Sequence, residues 1–302
     1  MHKEQLSLIK EQPFKFEKEM QGLVERNLQT LLGLDFICTE FAIGTFRIDS
    51  LAYDAERKAF VIIEYKRDKN FSVIDQGYAY LALMLNNKAE FILEYNEAKS
   101  HGLKRDNVDW SQSRVIFVAP NFTTYQKEAI NFKDLPIELW EIRRFANNTL
   151  SFERIVNRSS KESIKTVSRS ETIAEVSKEI KVYSEQDLLA HTQDDIQNMY
   201  AEIREFLLSM GEDISIHPKK KTIGFNVGAK VFCDFAVQNK GIRMFLNAKE
   251  GTLKDPEGIA RDVSHVGHWG SGDYEIRFPL KNDTGIEYVF SLLRQTIKMN
   301  KA

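Results

Sequence analysis

Along residues 14–33 (FKFEKEMQGLVERNLQTLLG) the apolar positions Met20, Leu23, Val24, Leu28, Leu31 and Leu32 recur at helical spacing. This predicts an amphipathic helix stopped by Gly33. The pattern then turns strand-like. FICTEFAIG (36–44) and FRIDSLAY (46–53) read as strands, the polar DAERK (54–58) as a turn, and AFVIIEYK (59–66) as a continuous apolar strand ending in charge. Residues 73–95, rich in Leu, Ala and Tyr, predict a long helix. RVIFVAP (114–120) predicts a buried strand stopped by Pro120, residues 123–132 a short helix, and IELWEIRRF (137–145) another strand. Helix, three antiparallel strands, helix, strand, helix, strand is the order of an α/β sandwich around a central mixed sheet.

The pattern changes at 155–184. The stretch SSKESIKTVSRSETIAEVSKEIK within it is rich in Ser, Lys and Glu and poor in large apolar residues, so a linker is expected there. Periodicity returns with a helix over 185–209, strands at 221–228, 230–237, 241–248 and 274–280, and a helix over about 283–299. The expected organisation is a first domain over 1–154, a linker over 155–184 and a smaller α+β domain over 185–302. The length of 302 residues fits two domains of about 150 each, and no repeat relates the halves.

Composition narrows the class. Hydrophobic residues at 42% and charged residues at 28% exclude wholesale disorder and fibrous repeats. Cys38 and Cys233 lie too far apart for a disulfide framework or a Cys-x-x-Cys metal site. No apolar run approaches the roughly 20 residues that cross a bilayer, and MHKEQLSLIKEQPF lacks the apolar core of a signal peptide. A soluble, reduced, cytoplasmic protein without membrane contact is expected. The formal net charge of -2 excludes a polycation, so any nucleic-acid surface must be a local patch.

Asp49, Glu64 and Lys66 are the informative residues. Glu64 and Lys66 alternate on one face of their strand. If 46–53 and 59–66 form a hairpin, Asp49 lies across from them. Two carboxylates suffice to anchor Mg²⁺, which prefers hard oxygens and retains waters. A divalent ion there can acidify a water and neutralise charge on a phosphate, and a lysine alongside can position the water or stabilise the oxyanion. The alternative is a solvated strand end. The cluster Lys66-Arg67-Asp68-Lys69 directly follows, which points Arg67 and Lys69 at phosphate. The clusters at Lys104-Arg105, Arg143-Arg144 and Lys219-Lys220-Lys221 read as solvated faces.

An Asp followed by Glu-x-Lys at the end of an apolar strand resembles the signature of the PD-(D/E)XK nuclease superfamily. Gln76-x-x-x-Tyr80 on the following helix is similar to the motif of its RecB-like branch, with both residues on one helix face. Ile48 stands where the family's namesake proline would be, and the resemblance covers roughly residues 15–153. It implies a restriction-endonuclease-like mixed sheet flanked by helices and a metal-dependent nuclease, with DNA the expected nucleic acid. Asp49 and Glu64 would bind Mg²⁺ or Mn²⁺, and Glu25 on the preceding helix would be a further metal ligand or support. Lys66 would stabilise the attacking water, Gln76 would orient a site group or phosphate, and Tyr80 would contact substrate. For Glu25 a surface role, and for Tyr80 a core role, stand open. The rival class is a non-catalytic nucleic-acid-binding or regulatory protein on the same scaffold.

In the second half, RDVSHVGHWGSGDYEI (261–276) sets His265 and His268 among Gly267, Gly270 and Gly272, and reads as a Gly-rich turn into a strand rather than a metal or phosphate loop. This segment resembles a C-terminal domain of unknown function found in bacterial and archaeal proteins, some labelled predicted transport proteins. Its expected roles are substrate selection, pairing of two copies as a homodimer, or binding of a partner.

Overall fold

A computed structural model describes residues 8–67, 71–100, 102–156, 162–268, 270–279 and 285–301. The chain divides into two compact units, Met1–Val182 and Tyr183–Ala302.

The first unit runs α1 (Glu17–Arg26), α2 (Leu28–Leu32), β1 (Asp35–Ile43), β2 (Phe46–Asp54), β3 (Ala59–Tyr65), α3 (Val73–Asn86), α4 (Lys88–Lys99), β4 (Arg114–Ala119), α5 (Thr124–Ala129), β5 (Ile137–Arg144), β6 (Leu150–Arg154), α6 (Ile164–Val167) and α7 (Glu171–Glu179). The strands form one sheet in the order β1-β2-β3-β4-β5-β6. β1, β2 and β3 are antiparallel, β3, β4 and β5 are parallel, and β6 is antiparallel to β5. The mixture follows from the connections. Short turns allow antiparallel neighbours, whereas the parallel steps cross over through α3–α4 and through α5. This is the expected mixed sheet flanked by helices.

β3 is buried along its whole length, as a strand covered on both faces must be. Met20, Val24 and Leu28 pack on one face against Val61, Ile63 and Tyr65. Tyr78, Leu81, Met84 and Phe91 pack on the other with Phe60, Ile62 and Phe117. The two long helices read from the sequence are each broken, at Asn27 and Asn87. The cause is the same in both. The Asn side-chain amide takes the carbonyl four residues back, Leu23 at 2.8 Å and Leu83 at 2.7 Å. The backbone N–H is left to bond three back, to Val24 and Met84. Asparagine thereby competes with the helix it interrupts.

The expected linker differs most from the structure. Within it, α6 and α7 pack onto the first unit, and Ile164, Ile173, Val176 and Ile180 are buried in the same core as Tyr78. The segment has few apolar residues, but those of α7 are spaced by three and four. Ser163 and Ser170 start the two helices by accepting the Lys165 and Ile173 N–H groups. Averaged composition hides that spacing.

The second unit contains α8 (Glu185–Leu189), α9 (Asp194–Ser209), β7 (Ile214–Pro218), β8 (Ile223–Val227), β9 (Lys230–Gln238), β10 (Gly241–Leu246), β11 (Arg261–Asp262), β12 (Tyr274–Phe278) and α10 (Ile286–Asn300). Its sheet, ordered β11-β12-β10-β9-β8-β7, is antiparallel throughout. Phe225, Phe235, Met244 and Ile276 form its core with Ile203 and Leu207 of α9 and Val289 and Leu293 of α10. This is the smaller α+β domain. No helix among the described residues is long and apolar enough to cross a membrane.

Because α7 belongs to the first core, Ile173→Ala is expected to lower the unfolding free energy of the first unit by about 2–4 kcal/mol. A denaturant titration reads this as a shift in midpoint. A shift equivalent to less than about 0.5 kcal/mol, the range of ordinary surface changes, would mean that the segment does not pack.

Candidate functional site

The β2–β3 ladder runs from Asp54 opposite Ala59 to Ser50 opposite Ile63. One further step brings Asp49 and Glu64 across from each other on the α3 face. There the ladder is replaced by a side chain: Asp49 Oδ2 accepts the Tyr65 N–H at 3.0 Å. The next residue, Lys66, gives its N–H to the Val118 carbonyl at 2.9 Å, which ties the end of β3 to β4.

Glu64 is the centre of the group. It is only 4% exposed. Its Oε1 accepts from Lys66 Nζ at 2.8 Å and from Gln76 Nε2 at 3.0 Å. Its Oε2 is shut from solvent and has no hydrogen-bond partner among the described residues. Gln76 arrives from α3, whose first turn is fixed by Ser72 accepting the Asp75 N–H at 3.2 Å. Gln76 Nε2 also donates to the Tyr80 hydroxyl at 3.2 Å, and that hydroxyl reaches the Arg47 carbonyl at 3.5 Å. α3 can lie this close to the sheet because residue 77 is glycine. A Cβ there would stand 2.4 Å from Ile137 Cδ1.

The electrostatics follow from this crowding. Burial and then the neighbouring Glu64 carboxylate push Asp49 up to about 6, against an ordinary 3.8. Burial, then Glu64, also raises Tyr80. Neither carboxylate is fully compensated by Lys66. The oxygens left over are Glu64 Oε2 and Asp49 Oδ1, which makes no hydrogen bond among the described residues. Two hard anionic oxygens at one strand end suit a divalent cation that keeps several waters. No cluster of three or more His, Cys, Asp or Glu residues arranged to hold a metal occurs among the described residues, so the capacity rests on this pair.

Asp49, Glu64, Lys66, Gln76 and Tyr80 are thus brought together. Tyr80 is 7% exposed, so it positions Gln76 and offers no open surface to a substrate. Glu25 is not in the group. Its Oε1 accepts from Ser50 Oγ at 2.6 Å and from Gln21 Nε2 at 3.0 Å. Ser50 alternates with Asp49 along β2 and so faces α1, on the other side of the sheet. Arg67 is held to the start of α1, its N–H on Glu17 at 2.7 Å and its Nη1 on the Lys15 carbonyl. Lys69 lies outside the described residues. Sequence reasoning missed Gln21, which is buried and donates to the Asp49 carbonyl at 2.7 Å and to Thr39 at 2.9 Å. The available signal was a polar residue inside the apolar stripe of α1, beside Met20 and Val24.

The raised Asp49 predicts a sign. The folded chain holds this proton more tightly than the unfolded chain does, so the associated stability is present below about 3.8 and lost as pH rises through about 6. In EDTA, Asp49→Asn should therefore melt higher than wild type at pH 7.5, and the gap should shrink toward pH 4. A Tm series over that range checks this. A variant that is less stable at pH 7.5 and no worse at pH 4 would contradict it.

Residues 185–286 match the family described as a domain of unknown function (DUF5655). Among solved structures, the chain is similar to EndoMS in its apo form, at 22% identity over 39% of this chain and 43% of that one, with a TM-score of 0.26. It is also similar to a repair endonuclease from Pyrococcus abyssi, at 22% identity over 39% and 44% of the two chains, with a TM-score of 0.22. The chain thus spans less than half the length of either. A Haemophilus influenzae protein described as uncharacterized is 48% identical over 297 residues, which is 98% of this chain and 97% of that one. At that identity over nearly the full length of both, this chain belongs to the same family as the Haemophilus influenzae protein.

Proposed function

We propose that the first unit is a metal-dependent nuclease of the PD-(D/E)XK type that hydrolyses phosphodiester bonds, with DNA as its substrate. The observation that carries this reading is the buried Glu64 Oε2, left without a partner beside an Asp49 whose pKa is raised. Unmet carboxylate oxygens are costly in a purely structural strand end. They are what a cation site requires.

Asp49 and Glu64 would hold Mg²⁺ or Mn²⁺, which when bound supplies Lewis acidity and neutralises charge on the phosphate. The protein's own groups then have separate tasks. Lys66, fixed on Glu64 Oε1 and still partly exposed, places its ammonium where it can orient the attacking water and stabilise charge developing on a phosphate oxygen. Gln76, braced by Tyr80, shares Glu64 Oε1 with Lys66 and so leaves Oε2 to serve as a ligand. Asp49 contributes only when ionised, so protons compete with the cation for it, and the pH below which activity falls is expected to move down as Mn²⁺ is raised.

Incubation of labelled single- and double-stranded DNA and RNA with Mn²⁺ tests the reading. Lys66→Ala should lose about 10²–10³ in turnover while keeping the rise in Tm that Mn²⁺ gives. Asp49→Ala should lose both. Cleavage in excess EDTA, or cleavage by Lys66→Ala as fast as wild type, would remove the site from the reaction. Salt-dependent binding without turnover would favour the non-catalytic binding protein.

A further inference from the structure

The second unit carries a cluster that the site in the first unit does not use. On β10 and β12, Arg243 lies opposite Arg277 and Phe245 opposite Glu275, and Arg261 of β11 also faces Glu275. Residues directly opposite in an antiparallel ladder point to the same side, so these five share one face of the sheet. The alternating residues Ile242, Met244, Leu246 and Ile276 lie in the core with α9 and α10. The charged face is therefore the one turned away from the helices.

Glu275 is 1% exposed. Arg243 Nε and Arg277 Nε donate to it, the latter at 3.2 Å, and Arg261 Nη1 stands 3.8 Å away. Three guanidinium groups around one carboxylate leave a local excess of two positive charges. Arg243 is 27% exposed, Arg261 54% and Arg277 60%. Because Arg243 and Arg277 bond Glu275 through Nε, their Nη groups remain without a hydrogen bond among the described residues. The patch is also stiffened from beneath. The Arg243 guanidinium lies 5.3 Å over the Phe245 ring, and His268 stacks on that ring at 5.3 Å. The glycines after His268 serve this packing. A Cβ at Gly270 would stand 2.3 Å from Phe245 Cβ, and the Ser271 N–H bonds Asp234 Oδ2 at 2.9 Å.

We infer that Arg243, Arg261 and Arg277, organised by Glu275, form a docking surface for the phosphate backbone of a nucleic acid. The choice of partner rests on the nuclease reading of the first unit. The guanidinium fork matches phosphate oxygens and is weakly hydrated. The three side chains start from three neighbouring strands and converge on Glu275, so their outer N–H groups form one compact cationic patch that a phosphate of a polyanion's backbone can meet. A buried carboxylate that fixes Arg243 and Arg277 in advance, with Arg261 in ion-pair range, reduces the ordering cost of binding.

The test uses the full chain and fluorescein-labelled double-stranded DNA, with affinity measured by anisotropy across a salt series in EDTA. Arg261→Gln/Arg277→Gln keeps a donor to Glu275 while removing two charges. It should lose about tenfold or more in affinity at low salt, and the slope of log affinity against log salt should become shallower by about two. Cleavage at saturating DNA with Mn²⁺ should persist, because the residues around Glu64 are untouched. If the double variant does not fold by circular dichroism, either single variant should show about half the change in slope. Unchanged affinity and slope in a folded variant would overturn the inference. So would arginine-dependent binding to vesicles of anionic lipid with none to DNA. A wild-type protein that binds no nucleic acid overturns both this inference and the nuclease reading. Arginine-dependent binding without cleavage supports the docking surface and removes the nuclease reading alone.

Discussion

Two like charges held together at the end of a sheet set the terms for the first unit. Asp49 and Glu64 repel, and both are partly or wholly removed from water. The fold nevertheless fixes them: Tyr65 donates its backbone N–H to one, and Lys66 and Gln76 converge on one oxygen of the other. The opposite end of the same sheet shows what full compensation looks like. There Asp54 meets Arg114 at 2.9 Å, and Glu138 meets Arg114 at 3.1 Å and Arg154 at 3.5 Å. Burial works against the Glu138 charge, but Arg154 and Arg114 outweigh it and hold the carboxyl down to about 2. Asp49, with burial and Glu64 against it, is pushed up to about 6. One end of the sheet is locked by charges that cancel, and the other is left with charge to satisfy.

The rest of the first unit can be read as support for that imbalance. β3 must be covered on both faces to keep Glu64 out of bulk water, and α1 and α3 provide the cover. α3 must approach closely enough for Gln76 to reach Glu64, which Gly77 permits. In turn α7 packs behind α3, so the segment that looks like a connector braces the helix that carries Gln76 and Tyr80.

Much of this was legible in the residues. The strand-ending Glu64-Tyr65-Lys66, the hairpin back to Asp49 and the four-residue spacing of Gln76 and Tyr80 each have a geometric meaning that the fold preserves. What was not legible depended on pairwise competition. Whether Asn27 and Asn87 extend or break a helix is decided by one side-chain hydrogen bond. Whether Glu25 serves the carboxylate pair is decided by the face of β2 it meets, where Ser50 and Gln21 take it. The packing of α7 was hidden because three apolar residues in a polar stretch are enough once a core lies beside them. The second unit divides its chemistry by strand parity, with Ile242, Met244, Leu246 and Ile276 toward the helices and Arg243, Arg261 and Arg277 toward the other side. That division needs the register of β10, β11 and β12.

The measurement closest to the central claim is calorimetric titration of Mn²⁺ into the metal-free protein at pH 7.5, beside Glu64→Gln. Saturable binding of one ion per chain is expected in the wild type, and its loss in the variant. Glu64→Gln keeps the size of the side chain and removes the charge of the unpartnered oxygen. Binding that is absent in the wild type, or equal in the two proteins, would contradict the assignment of Asp49 and Glu64 as a cation site.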